Sequence, residues 1–312
     1  MRSSRMVPFA ALAVGGVLLV AGCGTEEPAA PVAKAPNSAG EGGGAPAGPV
    51  VRNGTARTSN ALQGTGDWAA APGAEAEKWV QLTATRLDGV GEVLVNGAGL
   101  TLYRFDEDSA EPAKATCNDA CAGKWPPVTV QAGGKVFLAG VAADDVGFVQ
   151  RDDGKLQVTV GGWPVYRFAK DVRGGDVKGQ GVGNTWFGVR PDGGKAGQDA
   201  EPVEKQPRDG QRSTPAKRVV LFSGFSFNVF DEDAASQVIE AGTVPDGGCV
   251  NALDPGTASS IAFDGLVKIW SGPDCTGESK QLGAVDAENV GGIADLRDID
   301  FNNTIQSVKL PQ

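Results

Sequence analysis

Tyr103-Arg104-Phe105-Asp106-Glu107-Asp108 and Tyr166-Arg167-Phe168-Ala169-Lys170-Asp171 contain the only two tyrosines of the 312-residue chain, and both read Tyr-Arg-Phe-x-x-Asp. Each hexapeptide has a glycine turn upstream, Gly97-Ala98-Gly99 or Gly161-Gly162, and a tryptophan about twenty residues downstream, Trp125 or Trp186. Whole folding units are therefore duplicated. Runs from Glu92 to Asn96 and Leu100 to Phe105 flank the first turn, and Leu156 to Val160 and Trp163 to Phe168 flank the second, which predicts two hairpins. Strand alternation places Tyr103 with Phe105, and Tyr166 with Phe168, on one face, with Arg104 and Arg167 on the other. A third strand in each unit, Lys124 to Val130 and Thr185 to Arg190, carries the tryptophan. The expectation is two three-stranded units packed by their aromatic rings.

The motif has two readings. In the first, the rings fill a core, and the aspartate caps a turn or accepts the tyrosine hydroxyl. In the second, Tyr103, Tyr166, Trp125 and Trp186 line a cleft that stacks a ligand ring or glycan, Asp108 and Asp171 orient it, and Trp163 extends the surface. A variant of the second makes the aromatics a hopping path for electrons. The glycine-rich loop from Gly174 to Asn184 lacks the Lys-Ser/Thr ending of a phosphate loop and reads as a connector.

The N-terminus sets the compartment. Arg2 and Arg5 precede an apolar stretch from Val7 to Ala21, closed by Val20-Ala21-Gly22-Cys23, which resembles a bacterial lipoprotein signal with a lipobox. The apolar run is short for a membrane span of about 20 residues. The expectation is a signal peptide over 1–22 and a mature chain beginning at lipidated Cys23, anchored on the extracytoplasmic face. Two or more acyl chains at about 0.8 kcal/mol per buried CH₂ give stable attachment. Export exposes the remaining cysteines to an oxidising environment. Of three pairings, Cys117 with Cys121 and Cys249 with Cys275 keep each disulfide within one candidate domain, while a redox Cys-x-x-x-Cys remains an alternative for the first pair.

Composition narrows the chemistry. There is no histidine, and the two methionines, Met1 and Met6, lie in the signal. Ser-His-Asp and Cys-His catalysis, blue-copper sites and haem with His or Met axial ligands cannot be built. Without Arg2 and Arg5 there remain 26 basic against 38 acidic residues, a net charge of −12 with no basic stripe, so nucleic acid is not an expected partner. Asp106 and Asp108 are too close in one turn to face a substrate from both sides. The expectation is a protein that catalyses nothing, a monomer, with no cofactor beyond a weak calcium site discussed below.

Residues 23–73 are rich in Ala, Gly, Pro, Ser and Thr and read as lipid anchor and disordered tether, about 40 Å in root-mean-square reach. A second polar stretch, 193–216, reads as a linker, leaving folded domains over 74–192 and 217–312. Within the first, Gly99-Leu-Thr-Leu-Tyr-Arg-Phe, Cys117-Asn-Asp-Ala-Cys-Ala-Gly-Lys-Trp-Pro-Pro-Val, Gly162-Trp-Pro-Val-Tyr-Arg-Phe-Ala-Lys-Asp and Gly174-Gly-Asp-Val-Lys-Gly-Gln-Gly-Val-Gly-Asn-Thr-Trp-Phe resemble the secreted-repeat lipoproteins with a Tyr-x-aromatic-x-x-Asp motif. The resemblance covers roughly residues 86–190. It implies an exported, lipid-anchored tandem-repeat protein and no particular reaction.

The C-terminal part has short strands between glycine turns: Val219-Val-Leu-Phe-Ser-Gly-Phe-Ser-Phe, Val267-Lys-Ile-Trp-Ser-Gly-Pro-Asp-Cys-Thr-Gly and Asn302-Asn-Thr-Ile-Gln-Ser-Val-Lys-Leu. It resembles the βγ-crystallin-type Greek-key domains of small secreted actinobacterial proteins, among them a metalloprotease-inhibitor family. That resemblance implies calcium at Asn/Asp-Asn/Asp-x-x-Ser/Thr-Ser, matched here by Asn302, Asn303 and Ser307. Gln306 replaces one ligand and Pro255-Gly256 stands in the counterpart, so weak binding at best is expected. The whole reads as all-β: a tandem β-meander repeat domain followed by a Greek-key sandwich. The function it suggests is a lipid-anchored, non-catalytic binding or structural module of the cell envelope, with an envelope protein or wall polymer as partner. Protease inhibition by the C-terminal domain and extracytoplasmic electron transfer are the alternatives.

Overall fold

Valine, leucine and threonine crowd residues 79–95 and 135–160, and the computed structural model turns these runs into sheet. It describes residues 48–61, 64–68, 73–198, 214–231, 233–244, 248–283 and 291–310. Cys23, the signal and most of the expected tether and second linker lie outside the described residues.

The repeat part contains β1 (Val50–Asn53), β2 (Trp79–Leu87), β3 (Gly91–Val95), β4 (Tyr103–Phe105), β5 (Ser109–Ala110) and β6 (Ala113–Lys114). After helix α1 (Asp119–Lys124) come β7 (Thr129–Val130), β8 (Lys135–Ala139), β9 (Val146–Gln150), β10 (Leu156–Val160), β11 (Trp163–Pro164) and β12 (Trp186–Gly188). One sheet runs β1-β8-β2-β3, with β8 parallel to both β1 and β2. A second runs β11-β10-β7 with β9 also on β10. Between β10 and β11, Gly161 and Gly162 both have positive φ, 55° and 84°, as the expected two-residue hairpin turn requires. The expected hairpin from Glu92 to Phe105 survives as an isolated bridge, Val95 to Thr101, and a Leu102 to Leu94 backbone bond.

Three expectations are corrected. The expected third strand from Lys124 is shortened, because α1 covers Asp119–Lys124 and only Thr129–Val130 enters a sheet. The two repeats are not separate three-stranded units, because β12 of the second pairs with β4 of the first, Trp186 opposite Phe105. The tether is shorter than 23–73, because residues 50–53 form β1 on the edge of β8 and 57–59 and 66–68 form short 3₁₀ turns. Small residues that read as linker fit here because β8 supplies the backbone partners. Residues 193–197 likewise fold back on the second repeat, where Ala196 is buried and donates its N–H to Gly188 O.

The C-terminal part contains β13 (Arg218–Phe222), β14 (Ser236–Glu240), β15 (Cys249–Asn251), β16 (Ser260–Phe263), β17 (Val267–Trp270), β18 (Ser279–Leu282), β19 (Gly292–Ile293) and β20 (Ser307–Lys309). One sheet is ordered β14-β13-β16-β19 and the other β15-β20-β17-β18. Taken as two successive four-strand motifs, each sheet holds three strands of one motif and the third strand of the other, a crossed pair of Greek keys. Both motifs fold the connection after their first strand alike. Ser260 Oγ donates to Gly224 O and accepts from Phe227 N, and Ser307 Oγ donates to Gly272 O and accepts from Cys275 N.

The apolar core does not respect the sequence boundary. Leu82, Leu94, Leu138, Val141 and Val160 of the repeat part share one buried cluster with Val220, Phe222, Phe227 and Ala262. A Cβ on Gly140 would lie 2.9 Å from the Phe227 ring, so glycine is needed for this approach. A second core, around Ile261, Ile269 and Val308, fills the Greek-key sandwich.

Candidate functional site

The tyrosine motif forms the centre of the repeat part through an approximate two-fold relation. Tyr103 N donates to Tyr166 O and Tyr166 N donates to Tyr103 O, each at 2.8 Å. Around this bridge the stacked rings and the tyrosine–tryptophan contacts come in matching pairs. Phe105 stacks on Trp186 at 4.1 Å, Trp186 on Trp125 at 3.8 Å, and Trp125 on Phe168 at 4.2 Å. Tyr103 meets Trp125 edge-on at 5.5 Å and Tyr166 meets Trp186 edge-on at 5.2 Å. The result is a four-ring stack with a tyrosine on each flank.

The aspartates cross between repeats. Tyr103 Oη donates to Asp171 Oδ2 at 2.5 Å, and Tyr166 Oη donates to Asp108 Oδ2 at 2.7 Å. Asp108 Oδ1 also accepts from Thr116 N and Thr116 Oγ1, which ties down the β5–β6 hairpin, while Asp171 Oδ1 accepts from Lys178 N. Gly179 N donates to Tyr103 Oη at 3.2 Å, and a Cβ there would sit 2.6 Å from the Tyr103 ring. Burial, reinforced by the paired carboxylates, pushes both phenols far above their ordinary range. Burial likewise raises both aspartates despite the hydrogen bonds they accept. The phenols therefore keep their protons and donate hydrogen bonds to the aspartates.

Tyr103, Phe105, Asp108, Trp125, Tyr166, Phe168, Asp171 and Trp186 are all buried, the tyrosines completely. Their rings and carboxylates face one another, so the cleft reading is corrected: these side chains present no open face to a ligand or glycan. Trp163 lies apart from the stack, half-buried under the Arg104 guanidinium at 3.3 Å. Arg104 does not reach solvent either, since it is buried and donates to Gly193 O.

Both disulfides pair as expected, Cys117 with Cys121 and Cys249 with Cys275. Cys117 packs against the aromatic cluster. The calcium expectation fails a fit test. The Ser307 hydroxyl is engaged as donor and acceptor within the fold, Asn303 Oδ1 accepts from Ser259 Oγ at 3.3 Å, and only Asn302 Oδ1 is sealed without a partner. A calcium ion takes six to eight oxygens, usually with carboxylates among them. No group of three or more His, Cys, Asp or Glu that could hold a metal occurs among the described residues.

Two residues stand out that the sequence pattern does not single out. Asp67 Oδ2 accepts from Gln81 N and Gly97 N while Oδ1 is sealed from water without a hydrogen bond, and burial pushes this carboxyl up to about 7. Arg218, buried at the start of β13, donates to Asn53 O, Thr58 O and Ser59 Oγ, gripping the chain as it enters the fold. A recess of about 20 Å³ beside these segments, lined by Arg57, Trp68, Gln81 and Asn228 among others, has room for about one water.

An interlocked tandem repeat joined to crossed Greek keys is the class that this geometry defines. The family model described as a secreted repeat of unknown function matches residues 83–129 and 147–190, one copy for each half of the dyad. Those two stretches are similar to secreted repeats, which indicates an exported protein, and the strands that follow them form crossed Greek keys. No curated protein matches the sequence. Among solved structures, a βγ-crystallin from Ciona intestinalis is 17% identical, covering 30% of this chain and 99% of its own with a TM-score of 0.23. An archaeal βγ-crystallin is 18% identical over 31% of this chain and 100% of its own, also at 0.23. The Greek-key assignment rests on the strand order. Among the described residues no helix is long and apolar enough to cross a membrane.

Proposed function

We propose that this chain is a lipid-anchored, extracytoplasmic and non-catalytic module of the cell envelope, held as one stiff body that binds a surface partner or braces the wall. The observation that carries the reading is the grip of Arg218 on residues 53–59, together with the pairing of β1 with β8. The chain leaving the anchor is received by both folded parts at once, so a pull on the tether is shared between them. The sequence around Cys23 supports the anchor, and the mutual pairing of Tyr103, Asp171, Tyr166 and Asp108 leaves recognition to the outer surface. Cys23→Ser is expected to release the folded protein into the medium. Proximity crosslinking of the anchored protein on intact cells, read by mass spectrometry, is expected to recover one envelope protein or wall polymer reproducibly. Retention of the Cys23→Ser protein in the membrane refutes the anchor. Failure to recover any reproducible neighbour refutes the binding role.

A further inference from the structure

Apart from Met1, Met6 and Cys23, all at the N-terminus, the chain has no methionine, histidine or unpaired thiol, since its other four cysteines form two disulfides. The side chains left to give up a single electron are six tryptophans and two tyrosines. Both tyrosines and two of the tryptophans meet in the dyad.

Of the four tryptophans outside the dyad, three have a cation beside the ring, while Trp79 meets Trp68 and Phe137 and donates to Thr65 Oγ1. Arg57 lies 5.8 Å from the Trp68 ring, Arg104 lies 3.3 Å from Trp163, and Lys268 lies 5.0 Å from Trp270. A cation over an indole stabilises the neutral ring and opposes a positive charge on it. The Trp125–Trp186 pair has phenylalanine rings on its outer faces instead, and the tyrosines that touch it end on carboxylates. Two indoles at 3.8 Å and 1° share a positive charge across their stacked faces.

A phenol that loses an electron also loses its proton. In a core closed to water the acceptor must already be in place. Asp171 Oδ2 and Asp108 Oδ2 occupy that position at 2.5 and 2.7 Å. Proton transfer over a preformed hydrogen bond of this length needs no rearrangement of the site.

We propose that the dyad is a one-electron donor centre for strong outer-sphere oxidants that meet the exported protein. The oxidant takes one electron from the Trp125–Trp186 pair and is reduced by one unit. The pair regains an electron from Tyr103 or Tyr166, whose phenolic proton moves to Asp171 or Asp108. The products are a neutral tyrosyl radical, a protonated aspartic acid and the reduced oxidant, so charge and protons balance. Confining the hole to this buried core keeps it from the peptide backbone and from outer residues.

The test uses the full chain and photogenerated tris(bipyridine)ruthenium(III) as oxidant, with radicals read by electron paramagnetic resonance. A tyrosyl signal is expected in the wild type, slower to form in deuterium oxide and absent from Tyr103→Phe/Tyr166→Phe. In Asp108→Asn/Asp171→Asn its yield is expected to fall at least tenfold, with a tryptophan radical in its place. A tyrosyl yield unchanged by the aspartate substitutions overturns the proposal. Peptide mapping of the oxidised wild type serves where a variant does not fold. Products at Tyr103, Tyr166, Trp125 or Trp186 support the assignment, and products confined to Trp68, Trp79, Trp163 and Trp270 overturn it.

Discussion

The crossing of the tyrosine–aspartate bonds makes a quantitative claim that a double-mutant cycle can test. Tyr103→Phe removes a hydrogen bond to a charged acceptor, worth about 1.5–3 kcal/mol, and leaves the Gly179 N–H without its acceptor, adding about 1 kcal/mol. The expected loss is therefore about 2–4 kcal/mol. Asp171→Ala removes the same bond and strands the phenol donor and Lys178 N. If the bond is direct, the double variant loses less than the sum of the singles by about 1.5–3 kcal/mol. Tyr103 and Asp108 provide the control, because they are five residues apart in one motif but not bonded, and their coupling is expected to stay within about 0.5 kcal/mol. The measurement is urea unfolding of all six proteins at one pH. A Tyr103–Asp171 coupling below about 0.5 kcal/mol, or a larger one for Tyr103–Asp108, refutes the crossed arrangement and restores two self-contained repeats.

Three other outcomes follow from the same structure. Asp67, raised to about 7 from an ordinary 3.8, keeps its proton in the folded state where the unfolded chain has lost it, so its contribution is full below pH 3.8 and is lost as pH rises to 7. Asp67→Asn, which keeps the acceptor for Gln81 and Gly97, is expected to flatten that slope and to raise stability at pH 8 by at most about 4 kcal/mol, and an unchanged urea midpoint across pH 4 to 8 in both proteins counts against it. Arg218→Met is expected to cost about 3–5 kcal/mol by stranding the carbonyls of Asn53 and Thr58, with hydrogen exchange rising first across residues 50–59; uniform exchange changes would show that the grip is not local. Calcium at millimolar concentration is expected to leave the melting temperature unmoved, and a rise would show that Asn302 and Asn303 find ligands by rearrangement.

How far the sequence reached is clearest at Tyr103. Its repetition at Tyr166, the glycine turns and the spacing to tryptophan made the duplicated unit and its shared aromatic face legible, because strand alternation sets which residues lie together on a face. It does not set which strand lies beside it. The pairing of β4 with β12, and so the bond to Asp171 rather than Asp108, depends on contacts 68 residues apart that no local pattern encodes. Residues 50–59 were hidden for a different reason. Val50-Val51-Arg52-Asn53 is too short, and too deep among Gly, Ala and Pro, to register as a strand, and it becomes one because the edge of β8 and Arg218 supply its partners. Gly66-Asp67-Trp68 carried the only hint of Asp67, since a glycine beside a tryptophan marks close packing but not a buried carboxylate.

Both halves of the molecule complete each motif with a piece of the other copy. A single repeat would leave its phenol without an acceptor, the Oδ2 of its aspartate without a donor and half of the ring stack open to water. A single Greek key would lack the strand it borrows: β19 for the first motif, β15 for the second. Closing these exchanges brings together residues 58 and 68 positions apart in the repeats, and the chain entropy of such closures grows only slowly with length. The exchange therefore adds little closure entropy, and the pair is the smallest unit in which each phenol and each aspartate of the motif has its full set of partners. The same logic explains why Arg218 reaches back to residues 53–59. With each half closed on itself, the two are joined by their shared core, by hydrogen bonds such as Thr85 Oγ1 with Ser226 Oγ and Gly140 N to Gly291 O, and by the entering segment that both hold.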